Sequence, residues 1–310
     1  AASAGPAQPA RTCPIVKYLP RSLLITLALL TVACSRTDLL YDNADWLAYR
    51  WADKLLDASG AQQDAWRDMF RQAMAEHRRE LLPQLVQLLH GVEAGVGRGL
   101  TSGELRCWLG VADRVYREHA RWAIAPASLV LADLSPPQVE HLAGQLSARN
   151  EEYRETYLDP DLAQRERRRV ERYIERVERW TGDLTTAQLR LVEALVGRMP
   201  DTAAGWLDYR QHTQRALLAL LGTGAKQQTL QRFLDAWWVD LAGRPPDLLD
   251  KTRRVREGVI DLVVALDETI TPRQRERVRE RLRDLRVDLA GAADVPSVAA
   301  QTELACLEGG

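Results

Sequence analysis

Apolar residues follow two different rules along this chain. Between Ser22 and Cys34 they form a nearly unbroken block, S-L-L-I-T-L-A-L-L-T-V-A-C, whereas beyond Asp38 they return every three or four residues. The block is shorter than the roughly 20 apolar residues that a membrane-crossing helix needs. The three-four spacing is that of an α-helix with one apolar face. A first such stripe is Leu40, Ala44, Leu47, Trp51 and Leu55. Ser59 to Gln62 opens a second helix, which passes Trp66, Met69, Phe70 and Ala73 on the way to Leu81, Leu82, Leu85, Leu88 and Leu89. Pro83 lies inside it, and a proline removes a backbone donor and crowds the preceding turn, so a kink or break is expected there. The Gly-rich piece from Gly91 to Gly99 is expected to end it. A third helix, starting at Leu100 to Glu104, carries Leu105, Trp108, Leu109, Ala112, Val115 and Tyr116 and is expected to close at Pro126.

Pro136 and Pro137 suit the first turn of the next helix, where a missing N–H removes no intrahelical bond; its stripe is Val139, Leu142, Leu146 and Tyr153. From Arg165 to Trp180, Val170, Tyr173, Ile174, Val177 and Trp180 share a face, and the opposite face mixes Arg with Glu as a solvated surface does. Further helices are predicted at Thr186–Arg198, Ala203–Leu221, Lys226–Leu241, Leu248–Leu266 and Pro272–Leu289. The last of these has Val278, Leu282, Leu285 and Leu289 in the seam expected of a helix lying along a neighbour. No stretch alternates as a strand would. The predicted fold is all-α: a multi-helix bundle of roughly nine to ten amphipathic helices forming one domain over 34–290, followed by a frayed tail at 291–310.

The apolar block has its own meaning. Lys17 and Arg21 precede it, and Ala33 places a small residue before Cys34. This is the layout of a bacterial secretory signal ending in a lipobox, so 1–33 is read as a cleaved leader and Cys34 as the lipidated first residue of the mature chain. Ser35, not Asp, follows Cys34. By resemblance to lipoproteins of two-membrane bacteria this implies sorting to the outer membrane, facing the periplasm. The membrane is thus one expected partner, engaged through the lipid on Cys34.

Composition adds two exclusions. Hydrophobic residues make up 46% and charged residues 27%, the balance of a globular chain rather than a disordered one. The formal charge of −1 becomes −4 once Arg11, Lys17 and Arg21 leave with the leader, the opposite of a nucleic-acid binder's basic footprint. Of four cysteines, Cys13 leaves with the leader and Cys34 takes the lipid; Cys107 and Cys306 stand too far apart in sequence for a pairing to be inferred. Cys107, beside Trp108, is read as a small buried hydrophobe.

One local pattern recurs at helix starts: Leu100-Thr101-Ser102-Gly103-Glu104, Leu134-Ser135-Pro136-Pro137-Gln138, Leu184-Thr185-Thr186-Ala187-Gln188 and Ile270-Thr271-Pro272-Arg273-Gln274, with a degenerate copy at Ala58-Ser59-Gly60-Ala61-Gln62. Each is a capping box, in which the Ser or Thr oxygen accepts from the N–H three residues on and the Gln or Glu there reaches back to the cap. Leu100 with Leu105, Leu134 with Val139 and Leu184 with Leu189 add a hydrophobic staple, whereas Ile270 faces Arg275 and lacks one. The pattern resembles the L-T-x-x-Q motif of the Spy and CpxP family of periplasmic stress proteins, which implies an all-helical binder of unfolded or envelope proteins. Those relatives are short, soluble, dimeric hairpins, whereas this chain is longer and carries a lipobox. A broader resemblance runs through Cys34, Tyr41-Asp42-Asn43-Ala44-Asp45-Trp46, His77-Arg78-Arg79-Glu80-Leu81-Leu82-Pro83, Leu134 to Gln138, Arg149-Asn150-Glu151-Glu152-Tyr153, Trp180-Thr181-Gly182-Asp183-Leu184 and Pro200-Asp201-Thr202. This order resembles an uncharacterised family of proteobacterial lipoproteins, and implies an outer-membrane-attached, all-helical periplasmic domain without an assigned activity.

Chemistry-bearing residues are few. His77, Arg78, Arg79 and Glu80 form the densest polar cluster, and Arg149, Asn150, Glu151 and Arg154 a second. They form either charged rows that hold a carboxylate or an anionic polymer, or a structural node in which the two clusters meet across packed helices; the node is the reading favoured here. The histidines at 77, 90, 119, 141 and 212 show no ligand spacing on one helical face, so no metal site is expected. No nucleophile elbow, P-loop or dinucleotide fingerprint occurs, and no cofactor is expected. Two acids brought together only by folding leave no signature, so a hydrolase acting on envelope polymers is the third alternative. The preferred function is a non-enzymatic, membrane-anchored helical lipoprotein that binds envelope proteins or serves as a structural envelope component; a chaperone-like role on unfolded clients is the second.

Overall fold

The capping boxes start helices, and they also organise the bundle. The computed structural model describes residues 43–159, 161–293 and Cys306; residues 1–42, on which the expected leader, the expected lipidation at Cys34 and Tyr41-Asp42 fall, lie outside the described residues. Within them the order is α1 (Ala44–Leu56), α2 (Gly60–Glu80), α3 (Leu82–Arg98), α4 (Ser102–Ala132), α5 (Pro136–Tyr157), α6 (Leu162–Thr181), α7 (Thr186–Arg198), α8 (Ala203–Gly222), α9 (Gln227–Leu234), a π-helical turn (Asp235–Val239), α10 (Pro246–Thr269) and α11 (Pro272–Ala292). No strand occurs among the described residues, and the fold is the expected all-α bundle.

All five capping boxes form, at the starts of α2, α4, α5, α7 and α11. Four of them then pair, two by two. Gln188 and Gln274 exchange side-chain hydrogen bonds, with Nε2 donating to the partner's Oε1 at 3.0 and 3.1 Å. Each also donates to a carbonyl five positions before the partner glutamine: Gln188 to Thr269 O at 3.1 Å and Gln274 to Asp183 O at 2.9 Å. Gln62 and Gln138 repeat the arrangement, exchanging bonds at 3.3 and 2.7 Å and donating to Asp133 O and Asp57 O. Each glutamine oxygen keeps its cap N–H as well. Both N–H and both lone pairs of each amide are thereby used. The elbow between α1 and α2 clasps the elbow between α4 and α5, and the α6–α7 elbow clasps the α10–α11 elbow. The fifth box has Glu104 in place of Gln, and Glu104 instead takes Arg98 at 3.5 Å.

Two cores follow from this clasping. Tyr49, Leu55, Leu56, Trp66, Val130, Leu142, Leu217, Leu221 and Leu230 form one. Val192, Val196, Met199, Leu262 and Leu266 form the other, with Val170, Ile174 and Val177 of α6 against it. α11 runs along α3, where Leu82, Leu289 and Ala292 pack together and Glu93 holds Arg283 and Arg286 at 3.3 and 3.0 Å. Arg275, which replaces the staple residue, instead donates to Val96 O at 2.8 Å near the C-terminus of α3 and to Asp267 at 2.7 Å. A cation there satisfies a carbonyl that the ending helix leaves open.

Several expectations are corrected. α1 turns Tyr49, Ala52, Leu55 and Leu56 inward and leaves Leu47 and Trp51, taken for its core face, exposed. The Gly-rich piece ends its helix only at its last glycine, Gly99, whose φ is 97°, and not at Gly91. α3 continues through Gly91 and Gly95 because the Trp108 ring lies against Gly91, in the space a Cβ would fill. Pro126 does not close α4, which runs on to Ala132. The lost hydrogen bond there, worth about 3 kcal/mol with the ring's clash, is outweighed by packing of Ala120, Ile124, Ala127 and Leu131 on Phe233, Leu234, Trp237 and Val239. Pro83 does break its helix, dividing α2 from α3 at Leu81. Cys107 is exposed rather than buried, and it is bonded to Cys306, with the two Cα atoms 5.6 Å apart.

Candidate functional site

α9 buries Leu230 and Leu234, which sets the position of the residues that follow. At Asp235–Val239 the helix widens: Asp240 N–H reaches Asp235 O at 3.2 Å and Ala242 N–H reaches Ala236 O at 2.8 Å. Such π turns insert a residue into a helix and are frequent at functional sites. Leu241 then takes a left-handed φ of 51°, uncommon for a branched side chain. The widened turn has a direct effect on two side chains. Adjacent Trp237 and Trp238, which an α-helix would point to different places, are both half-buried and both line one cavity.

That cavity has a volume of about 360 Å³ and is lined by Tyr116 of α4, Tyr153 of α5, Trp206, Tyr209 and Arg210 of α8, and the two tryptophans with Leu241. Every tyrosine hydroxyl is spent on a backbone carbonyl: Tyr116 on Trp238 at 2.9 Å, Tyr209 on Ala242 at 3.1 Å and Tyr153 on Ala203 at 3.3 Å. The rings are thereby oriented and offer faces rather than hydroxyls. Burial raises the Tyr153 and Tyr209 phenols above their ordinary range, partly offset by Arg210 and Arg244, so both remain protonated donors. Arg210 lies 4.4 Å from the centre of the Tyr153 ring and forms no ion pair among the described residues. The cavity therefore combines flat apolar walls with one cation at a ring face. Such a site suits an apolar body that carries an anionic group.

The clusters singled out in the sequence lie elsewhere and do not meet. His77 Nε2 is 2.9 Å from His119 Nδ1 of α4, and its ring lies 4.6 Å from that of Trp122. Burial, reinforced by His119, lowers its pKa to about 4. Arg78 is half-buried, and Arg79 pairs with its neighbour Glu80 at 2.8 Å on the surface. Asn150 is buried and donates to Gln214 Oε1 at 2.7 Å, Arg154 takes Glu151 at 3.3 Å, and Arg149 stacks over Trp51 at 5.6 Å. The reason is packing: α2 and α5 touch at their first turns, through Gln62 and Gln138, and the clusters stand several turns further along each helix, α2 lying mainly on α1, α3 and α4 and α5 on α1 and α8. Cys34 lies outside the described residues. The Asn150–Gln214 bond is a buried polar contact of the kind expected of a node. The cavity residues that sequence reasoning passed over had a signal: Trp206, Tyr209 and Arg210 stand at i, i+3 and i+4 on one face, followed by the Trp237-Trp238 doublet.

Residues 54–240 match the model of a family of unknown function (DUF6279). No curated protein and no solved structure matches the chain.

Proposed function

The chain belongs to that family of unknown function, and on this premise we propose that it is a non-enzymatic, lipid-anchored helical protein of the bacterial envelope that binds another envelope protein through the aromatic cavity. The observation that carries this reading is the cavity itself. Six aromatic rings, three of them held by their hydroxyls, and one guanidinium without an ion pair among the described residues would receive an apolar or aromatic side chain with a carboxylate beside it. Trp, Tyr and Arg are the residue types in which binding energy concentrates at protein interfaces. The ionisable groups lining the cavity are three phenols and a guanidinium, a set suited to holding a ligand rather than transferring a proton near neutral pH.

Location in the envelope is supported by the leader and lipobox ending at Cys34, with Ser35 directing the chain to the periplasmic face of the outer membrane. The Cys107–Cys306 bond agrees with it, since such bonds persist in oxidising compartments. The test is in-cell photo-crosslinking from Tyr116, which is 52% exposed at the cavity. One or two discrete partners, lost in Trp238→Ala and Arg210→Ala, are expected. A broad ladder of unrelated clients would instead favour the chaperone-like role that the capping-box motif brings to mind, and absence of any adduct would defeat both.

A further inference from the structure

α1 carries a second face, of aromatic, aliphatic and cationic residues, that stays exposed among the described residues. While Tyr49, Ala52, Leu55 and Leu56 enter the core, Trp46, Leu47 and Trp51 are 56%, 40% and 58% exposed. With 3.6 residues per turn, Trp46, Arg50, Lys54, Leu47 and Trp51 fall in that angular order within an arc of about 140°. All five are exposed. The cations are interleaved with the rings: Arg50 lies 5.8 Å from the Trp46 ring centre, and Arg149 of α5 lies 5.6 Å from that of Trp51. The acids of this helix, Asp45 and Asp53, lie outside the arc, and Asp53 accepts from the Ala58 N–H.

Two exposed indoles on a short stripe would be a solubility liability unless something receives them. The mixture identifies the receiver. Indoles settle at the headgroup level of a bilayer, and long cationic side chains keep their stems in the apolar layer while their charges reach lipid phosphates. A helix face that interleaves indoles with long cationic side chains can lie in the plane of the interface, its rings at the headgroup level and its charges on the phosphates. The tether agrees in length. α1 begins ten residues after Cys34, and at no more than about 3.5 Å per residue its first turn stays within about 35 Å of a lipid carried by that cysteine.

We propose that this face of α1 seats on the bilayer, with Trp46, Leu47 and Trp51 in the interfacial layer and Arg50, Lys54 and Arg149 on lipid phosphates. The tether argument rests on the reading of Cys34 as the anchor; the stripe does not. Seating fixes the orientation of the bundle over the membrane, which a lipid anchor alone would leave free.

The test uses the full chain isolated from cells, with its mass reporting whether Cys34 is acylated. It is mixed with phosphatidylcholine–phosphatidylglycerol vesicles, with and without brominated acyl chains, and tryptophan emission is read. Two seated indoles among nine predict quenching of about a fifth of the emission in brominated vesicles, abolished in Trp46→Gln/Trp51→Gln. The double variant should keep its melting temperature, because neither ring is buried. Equal quenching in the two proteins, or none in vesicle-bound protein, overturns the seat. An unacylated Cys34 defeats the anchor reading alone, since the same difference between wild type and variant is then read by titrating vesicles to higher lipid. A photo-crosslinker at Leu47 that yields a discrete protein adduct in cells, in place of lipid adducts, overturns the seat in favour of a protein partner.

Discussion

Gln188→Glu separates a capping box from a clasp. A capping box accepts Glu as readily as Gln, because only the side-chain oxygen reaches back to the cap. The clasp does not: Gln188 Nε2 donates to Thr269 O and to Gln274 Oε1, and both are acceptors. Replacing the amide nitrogen by oxygen removes two hydrogen bonds and sets a carboxylate oxygen about 3 Å from two other oxygens. The side chains are 2% and 7% exposed, so water does not compensate. A buried acceptor left without a donor costs about 1–3 kcal/mol, and more when a charge is involved. Gln188→Glu should therefore lose about 3 kcal/mol or more. Glu104→Gln, in the one box that meets no other box, keeps the cap bond and loses only the charge pairing with half-exposed Arg98, so it should cost less than about 1 kcal/mol. Urea denaturation followed by circular dichroism measures both. If Gln188→Glu unfolds within about 0.5 kcal/mol of wild type, the paired glutamines are two independent caps and the clasp contributes nothing.

Acid should weaken the protein through His77. The folded chain resists its protonation down to about pH 4, whereas the unfolded chain takes up that proton near 6.5, so stability present above pH 6.5 is lost as pH falls towards 4. Discounted for partial exposure, the loss is about 1–2 kcal/mol, and denaturation curves across that range should be flatter for His77→Gln than for wild type. Gly91→Ala should destabilise by about 1–3 kcal/mol, because the clash of a Cβ with the Trp108 ring outweighs the gain of about 1 kcal/mol in helix propensity; a raised melting temperature would contradict it. Cys107→Ser, or reduction of the wild type, should remove about 2–4 kcal/mol, since the bond links positions 199 residues apart. The check is thermal unfolding with and without reductant. Thr185→Ala should lose about 1 kcal/mol, the ordinary worth of a cap.

Helix identity, helix starts and much of the core were determined locally and were therefore readable. A Ser or Thr followed by Gln three residues later satisfies its own backbone whatever lies around it, and three-four spacing places Leu142, Leu282 or Val170 on an inward face without reference to the partner helix. What required the tertiary structure was everything decided between helices. α1 carries apolar residues on two sides, and only packing selects Tyr49 and Leu55 over Leu47 and Trp51 as the core face. Gly91 reads as a terminator until Trp108 is laid upon it, and Pro126 reads as a stop until the packing of α4 on α9 outweighs the lost hydrogen bond. The same local signature at five helix starts says nothing of which will meet. The pairing of Gln62 with Gln138 and of Gln188 with Gln274, across 76 and 86 residues, is set by how the hairpins cross. The aromatic cavity belongs mostly to this second class: the shared helix face of Trp206, Tyr209 and Arg210 is local, but the assembly is not. Its rings come from three helices and a π turn, and neither the turn's extra residue nor the meeting of Tyr116, Tyr153 and Trp238 has a spacing by which a linear sequence could announce it.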